Sequence, residues 1–183
     1  MRIAFAAASL AMLALAACGD ETVADPTDPD SVAAASANLP DPEPGQYRSV
    51  GELVEFEVAD APAEQTEMLR EMMGQMFSQP QEQCMTEAEA EEGYRGFIEQ
   101  MNDNQSCELQ NYETTSSTFT ARLACSQDGA EHTVDVNGEV SGTSMDMTMA
   151  MQGNFPQMGE TRMVLRMQSE RIGDCPAEGA AEG

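Results

Sequence analysis

The chain has 183 residues, with 33 acidic side chains against 8 basic ones, a formal net charge of −25 and no tryptophan. That length accommodates one domain with extensions, and a surface this acidic repels phosphate backbones, which excludes nucleic-acid binding. A hydrophobic content of 41% still supplies a core, so the chain is not disordered throughout.

Met1 and Arg2 form a short positive region, followed by an apolar run from Ile3 to Leu15. As a helix that run spans roughly 20 Å, too short for a hydrocarbon core of about 30 Å, and reads as a secretory signal. Leu15-Ala16-Ala17-Cys18 then resembles a bacterial lipobox. Residues 1–17 are accordingly expected to be a lipoprotein signal peptide, with Cys18 as the acylated mature N-terminus. More than one acyl chain would anchor it stably. Gly19 follows the cysteine in place of the aspartate tied to inner-membrane retention, so the expected address is the outer membrane, facing the periplasm.

Residues 18–44 carry Pro26, Pro29, Pro40 and Pro42 among many Asp and Ala, and read as a disordered acidic linker. A single domain is expected over residues 45–175 and a disordered tail over 176–183. Within the domain, Val50, Val54, Phe56 and Val58 alternate with polar neighbours and predict a strand near Tyr47–Val58. Ala63 to Phe77 predicts a helix whose Met68, Leu69, Met72, Met73, Met76 and Phe77 form one apolar face. A second helix opens at Thr86, where Glu89 completes a capping box, and carries Tyr94, Phe97, Ile98 and Met101 on one face.

Hairpin turns at Ser116-Ser117, Asp128-Gly129 and Ser141-Gly142 set the registers of the strands that follow. They place Cys107 opposite Cys125, Leu109 opposite Leu123, and Leu123 opposite Val134. They also place Ala121 opposite Val136, with Arg122 facing Asp135 on the other surface. The third turn puts Val136 by Met147 and Val134 by Met149. Apolar residues then share one face throughout, which a one-residue slip would destroy. A last strand runs over about Thr161–Ile172. The expected fold is α+β: an antiparallel meander of about five to six strands with two helices packed on one face, a closed barrel being the alternative.

With Cys18 assigned to lipid, the register pairs Cys107 with Cys125, and exclusion leaves Cys84 with Cys175. Neither pair is a Cys-x-x-Cys redox motif, so both read as structural staples in an oxidising compartment. Pro44-Gly45-Gln46-Tyr47 opens the first strand, Cys84-Met85-Thr86 precedes a helix, two mid-chain cysteines flank a hairpin, and Gly173-Asp174-Cys175 closes the domain. This pattern resembles the exported proteobacterial family known as domain of unknown function 3617. The resemblance spans about Pro44 to Cys175, with Tyr47 standing where the family commonly has tryptophan. It implies no activity, catalytic residue or cofactor.

No catalytic constellation is legible. His132 is the single histidine and lies opposite Cys125 on the apolar face, and no phosphate loop, nucleophile elbow, zinc motif or calcium loop occurs. The expectation is a non-enzymatic binding or structural module without cofactor or resident metal, meeting the membrane through its lipid and an envelope protein or apolar ligand through its surface. Methionine is the one unusual resource, with 15 in the chain. Met145, Met147, Met149 and Met151 alternate along one strand, and Met163 and Met167 share their face, making a candidate ligand or metal face. Thioethers suit copper(I), and a methionine-lined face also adapts to a lipid or other apolar ligand, while plain core packing explains the same alternation.

Overall fold

The computed structural model describes residues 21–23, 25–93, 107–127, 130–155 and 158–176. In chain order they form β1 (Glu21–Thr22), α1 (Pro29–Ser36), β2 (Gly45–Val58), α2 (Ala63–Phe77) and β3 (Gln81–Met85). A third helix, α3, is described over residues 87–93. The meander follows: β4 (Cys107–Thr114), β5 (Thr118–Gln127), β6 (Ala130–Val140), β7 (Ser144–Phe155) and β8 (Gly159–Gly173). All pair antiparallel in one sheet of order β1-β4-β5-β6-β7-β8-β2-β3. The α+β class holds. The meander is extended by β2 and β3 beyond β8 and by the two-residue β1 beside β4, and three helices accompany it among the described residues. Among the described residues the sheet is open, since its end strands β1 and β3 each have one neighbour.

The hairpins show how far local chemistry sets register. Cys107 pairs with Cys125 and Leu109 with Leu123, after which a bulge at Gln110 shifts the ladder so that Tyr112 meets Ala121. All the expected β5–β6 pairs occur, from Arg122 opposite Asp135 to Cys125 opposite His132. The β6–β7 pairing is displaced by two residues from the sequence expectation: Val136 meets Met149 and Val134 meets Met151. The cause is the loop. Ser141 to Ser144 close a four-residue turn, with the Ser141 amide donating to the Ser144 carbonyl at 2.8 Å. The Ser141 hydroxyl oxygen accepts the amides of Thr143 and Ser144. A two-residue slip preserves side-chain parity, so the apolar face survived the error. Thr115 organises the β4–β5 turn in the same way, accepting from the amides of Ser117 and Thr118.

The segment before β2 and β2 itself depart from the sequence reading. The stretch read as linker contains α1. Asp28 caps it, accepting from the Asp30 amide and the Ser31 hydroxyl, and Pro29 begins it, where a missing amide proton costs nothing. Val32, Ala35 and Leu39 are buried with Leu109, Tyr112 and Leu123 in the main core. In β2, Val54 forms a bulge between Leu53 and Glu55. The bulge flips parity, so Phe56 is buried while Val50 and Val54 are exposed on the opposite surface. Single-face alternation through all four residues is therefore not realised.

Helix α2 leans on β2 through Leu69, Met73 and Phe77, all half-buried. Gly51 makes that approach close, since a Cβ there would lie 2.9 Å from the Phe77 carbonyl oxygen. Met68, Met72 and Met76, expected on the same buried face, are exposed instead. The capping box at the start of α3 forms as the sequence implies. The Thr86 amide and hydroxyl donate to Glu89, whose own amide donates to the Thr86 oxygen. The Thr86 backbone amide is the chief reason the Glu89 carboxyl titrates below its usual range. Tyr94, Phe97, Ile98 and Met101 lie outside the described residues.

Candidate functional site

The inner face of the sheet is shaped by its two flanking helices. Helix α1 packs on β4 and α2 on β2, at opposite ends of the strand order. Two buried hydroxyls dock α1. The Ser36 hydroxyl donates to the Val32 carbonyl at 2.9 Å, which leaves its oxygen to accept the Tyr112 hydroxyl at 3.0 Å. The Thr114 hydroxyl donates to the Ala35 carbonyl at 3.0 Å. Burial raises the Tyr112 pKa above its ordinary value.

Between these ends, β7 and β8 present the methionines. Met147 faces Met167 and Met151 faces Met163 across the ladder, with Met149 opposite Leu165. Cross-strand neighbours on one face stand about 5 Å apart at Cβ, so the two Met–Met pairs, with Met145, Met149 and Leu165 on the same face, form one apolar floor. Met147 is buried at 3% exposure, whereas Met145, Met149, Met151, Met163 and Met167 are half-buried. The structure thus brings together all six residues singled out in the sequence. Met145, Met149, Met151 and Met167 pack against the main core. Gly138, beside Met147 on β6, leaves room for the Phe119 ring, which the Cβ of any other residue would strike.

The cysteines pair as the register implied: Cys107 with Cys125, and Cys84 with Cys175. The second bond ties edge strand β3 to the residues that follow β8. Cys18 lies outside the described residues. His132 is buried opposite Cys125 and stacks at a tilt on Phe155, ring centroids 5.2 Å apart. Its Nδ1 is buried without a hydrogen-bond partner among the described residues. Among those residues no group of three or more His, Cys, Asp or Glu is placed to hold a metal ion.

The outer face is crossed by ion pairs. Arg122 meets Asp135 at 2.6 Å, Arg162 meets Glu55 at 2.6 Å, and Arg166 grips both carboxylate oxygens of Asp146 at 2.9 and 2.5 Å. The Arg166 hydrogen bonds hold the Asp146 carboxyl below its usual range. A shallow groove of about 690 Å³ crosses this face, lined by Glu52, Thr120, Asn137, Glu139, Thr148 and Arg166 among others. Its one cation, Arg166, is already paired with Asp146, and Glu52 and Glu139 leave the groove acidic.

Residues 42–175 match the family described as protein of unknown function (DUF3617). The chain belongs to that family. No curated protein and no solved structure matches it. The matched region of this DUF3617 protein runs from just before β2 to Cys175, so β1 and α1 precede it. It holds the methionine floor and both disulfides. Among the described residues, no helix is long and apolar enough to cross a membrane.

Proposed function

We propose that this DUF3617 protein is a non-enzymatic, lipid-anchored module of the cell envelope, facing the periplasm from the outer membrane, that binds an apolar ligand on its methionine floor. The observation that carries the reading is the half-buried state of Met145, Met149, Met151, Met163 and Met167 between two helices that pack at opposite ends of the sheet. Flexible thioether chains reshape around apolar ligands at little cost. The floor carries no charge to orient a polar substrate, which favours carriage or docking over chemistry.

The address rests on the lipobox ending at Cys18, and two disulfides suit an oxidising compartment. The position of β1 bears on the geometry of anchoring. Glu21 follows Cys18 so closely that the intervening chain spans about 10 Å when extended. An acylated Cys18 would therefore hold the β1–β4 edge close to the lipid surface, where an apolar ligand could pass between membrane and protein.

Two experiments test this reading. Radiolabelled palmitate should enter the exported chain and be absent from Cys18→Ser. A neutral naphthylamine probe should brighten on the protein, with Met149→Gln weakening its binding about tenfold. Equal binding by Met149→Gln would remove the floor as the site.

A further inference from the structure

The sequence placed soft-metal chemistry on the sheet methionines, but the structure offers more accessible thioethers elsewhere. Met68, Met72 and Met76 on α2 are 64%, 61% and 58% exposed. They occupy successive turns of one helix face, on the exposed flank of the Leu69, Met73 and Phe77 arc that leans on β2. Packing does not require them to be methionine, and three large apolar side chains on adjacent turns are a liability in water.

We propose that Met68, Met72 and Met76 form a binding site for a soft monovalent cation of the Cu(I) class. Side chains four residues apart on a helix stand about 5–6 Å apart at Cβ. Each thioether sulfur sits two bonds beyond Cβ, so the sulfur of Met72 can share an ion with that of Met68 or Met76. Met73, half-buried, follows Met72 and lies about one turn before Met76. Thioethers carry no proton to displace and prefer Cu(I) to Ca²⁺, Mg²⁺ or Zn²⁺. The four described cysteines, which would otherwise compete, are held in disulfides.

The electrostatics favour a cation. The helix has acidic Glu64, Glu67 and Glu71, and no basic residue in its last turn, where the backbone dipole is negative. Its one basic residue, Arg70, donates to the Val54 carbonyl at 3.2 Å. The net charge of −25 concentrates cations around the whole molecule. This site lies on a different element from the apolar-ligand floor and does not depend on it.

The test is titration of the full exported protein, disulfides intact, with Ag(I) as an air-stable probe, followed by Cu(I) supplied as its acetonitrile complex under oxygen-free conditions without added reductant. One ion per chain is expected, with no competition from Zn²⁺. Met72→Leu should weaken binding most, by about tenfold or more, because Met72 adjoins both other thioethers. Met68→Leu and Met76→Leu should each weaken it less. Leucine conserves volume and helix propensity, so these variants keep the fold, which circular dichroism checks. The double variant Met147→Leu/Met167→Leu should bind as the parent does. Parent-like binding by a triple Met68→Leu/Met72→Leu/Met76→Leu variant would overturn the proposal. So would equal loss in the sheet double variant, or the absence of stoichiometric Ag(I) binding.

Discussion

Tyr112 shows how a single buried polar atom positions an element. Its hydroxyl reaches Ser36 on α1 from the floor of the core, at 2% exposure, and so ties a segment before the family region to the sheet. Tyr112→Phe removes one buried hydrogen bond and should lower stability by about 1 kcal/mol, read from the urea midpoint. The pH dependence has a definite sign. The folded pKa is raised above 10.0 by burial, so the unfolded chain ionises first. The tyrosine's contribution is complete below that value and is lost as pH rises through the raised folded pKa. Tyr112→Phe should therefore flatten the alkaline decline in stability; an unchanged alkaline limb would contradict the burial of this hydroxyl. His132 is buried too, and its Nδ1 meets no partner among the described residues.

At the scale of elements, α1 separates a linker from a folded strap. Ala35 is 2% exposed in the core, and its carbonyl accepts the Thr114 hydroxyl. Ala35→Leu should cost about 1–3 kcal/mol through overpacking, whereas a flexible linker would leave the melting temperature unchanged. Thermal unfolding monitored by circular dichroism distinguishes them. This helix was legible in principle, since Asp28-Pro29-Asp30 is an N-cap, a first-turn proline and a first-turn acid. Its apolar side is only Val32, Ala35 and Leu39, and the surrounding prolines and aspartates read as breakers. The meander was more legible because each strand alternates and each turn is short. Where it failed, backbone irregularities were responsible: bulges at Gln110 and Val54, and a four-residue loop at Ser141 that the dipeptide Ser-Gly does not announce. The methionine floor was legible from alternation alone. The outward turn of Met68, Met72 and Met76 was not, because it depends on which arc of α2 meets Gly51.

Across the whole molecule, the two disulfides act at different ranges. Cys107–Cys125 closes a hairpin with a sequence separation of 18, and Cys84–Cys175 fastens edge strand β3 across a separation of 91. Loop-closure entropy predicts losses of about 3 kcal/mol for the first and about 4.5 kcal/mol for the second when each pair is replaced by alanine. Urea unfolding of the two double variants should show that order, and the reverse would mean that β3 contributes little to cooperative stability. Among the described residues the rest of the architecture is one open sheet with an acidic outer face crossed by ion pairs and an inner face whose centre is methionine. Such a face offers an adaptable surface for apolar contact, the basis of the binding reading.

Native mass spectrometry of residues 19–183, exported to a bacterial periplasm without the lipid-bearing cysteine, tests that reading most directly. The account predicts a monomer with all four cysteines oxidised that carries a lipid-sized apolar adduct, lost when Met149 is replaced by glutamine. A bare, fully oxidised monomer from membrane-rich cells would contradict it and leave the methionine floor as core.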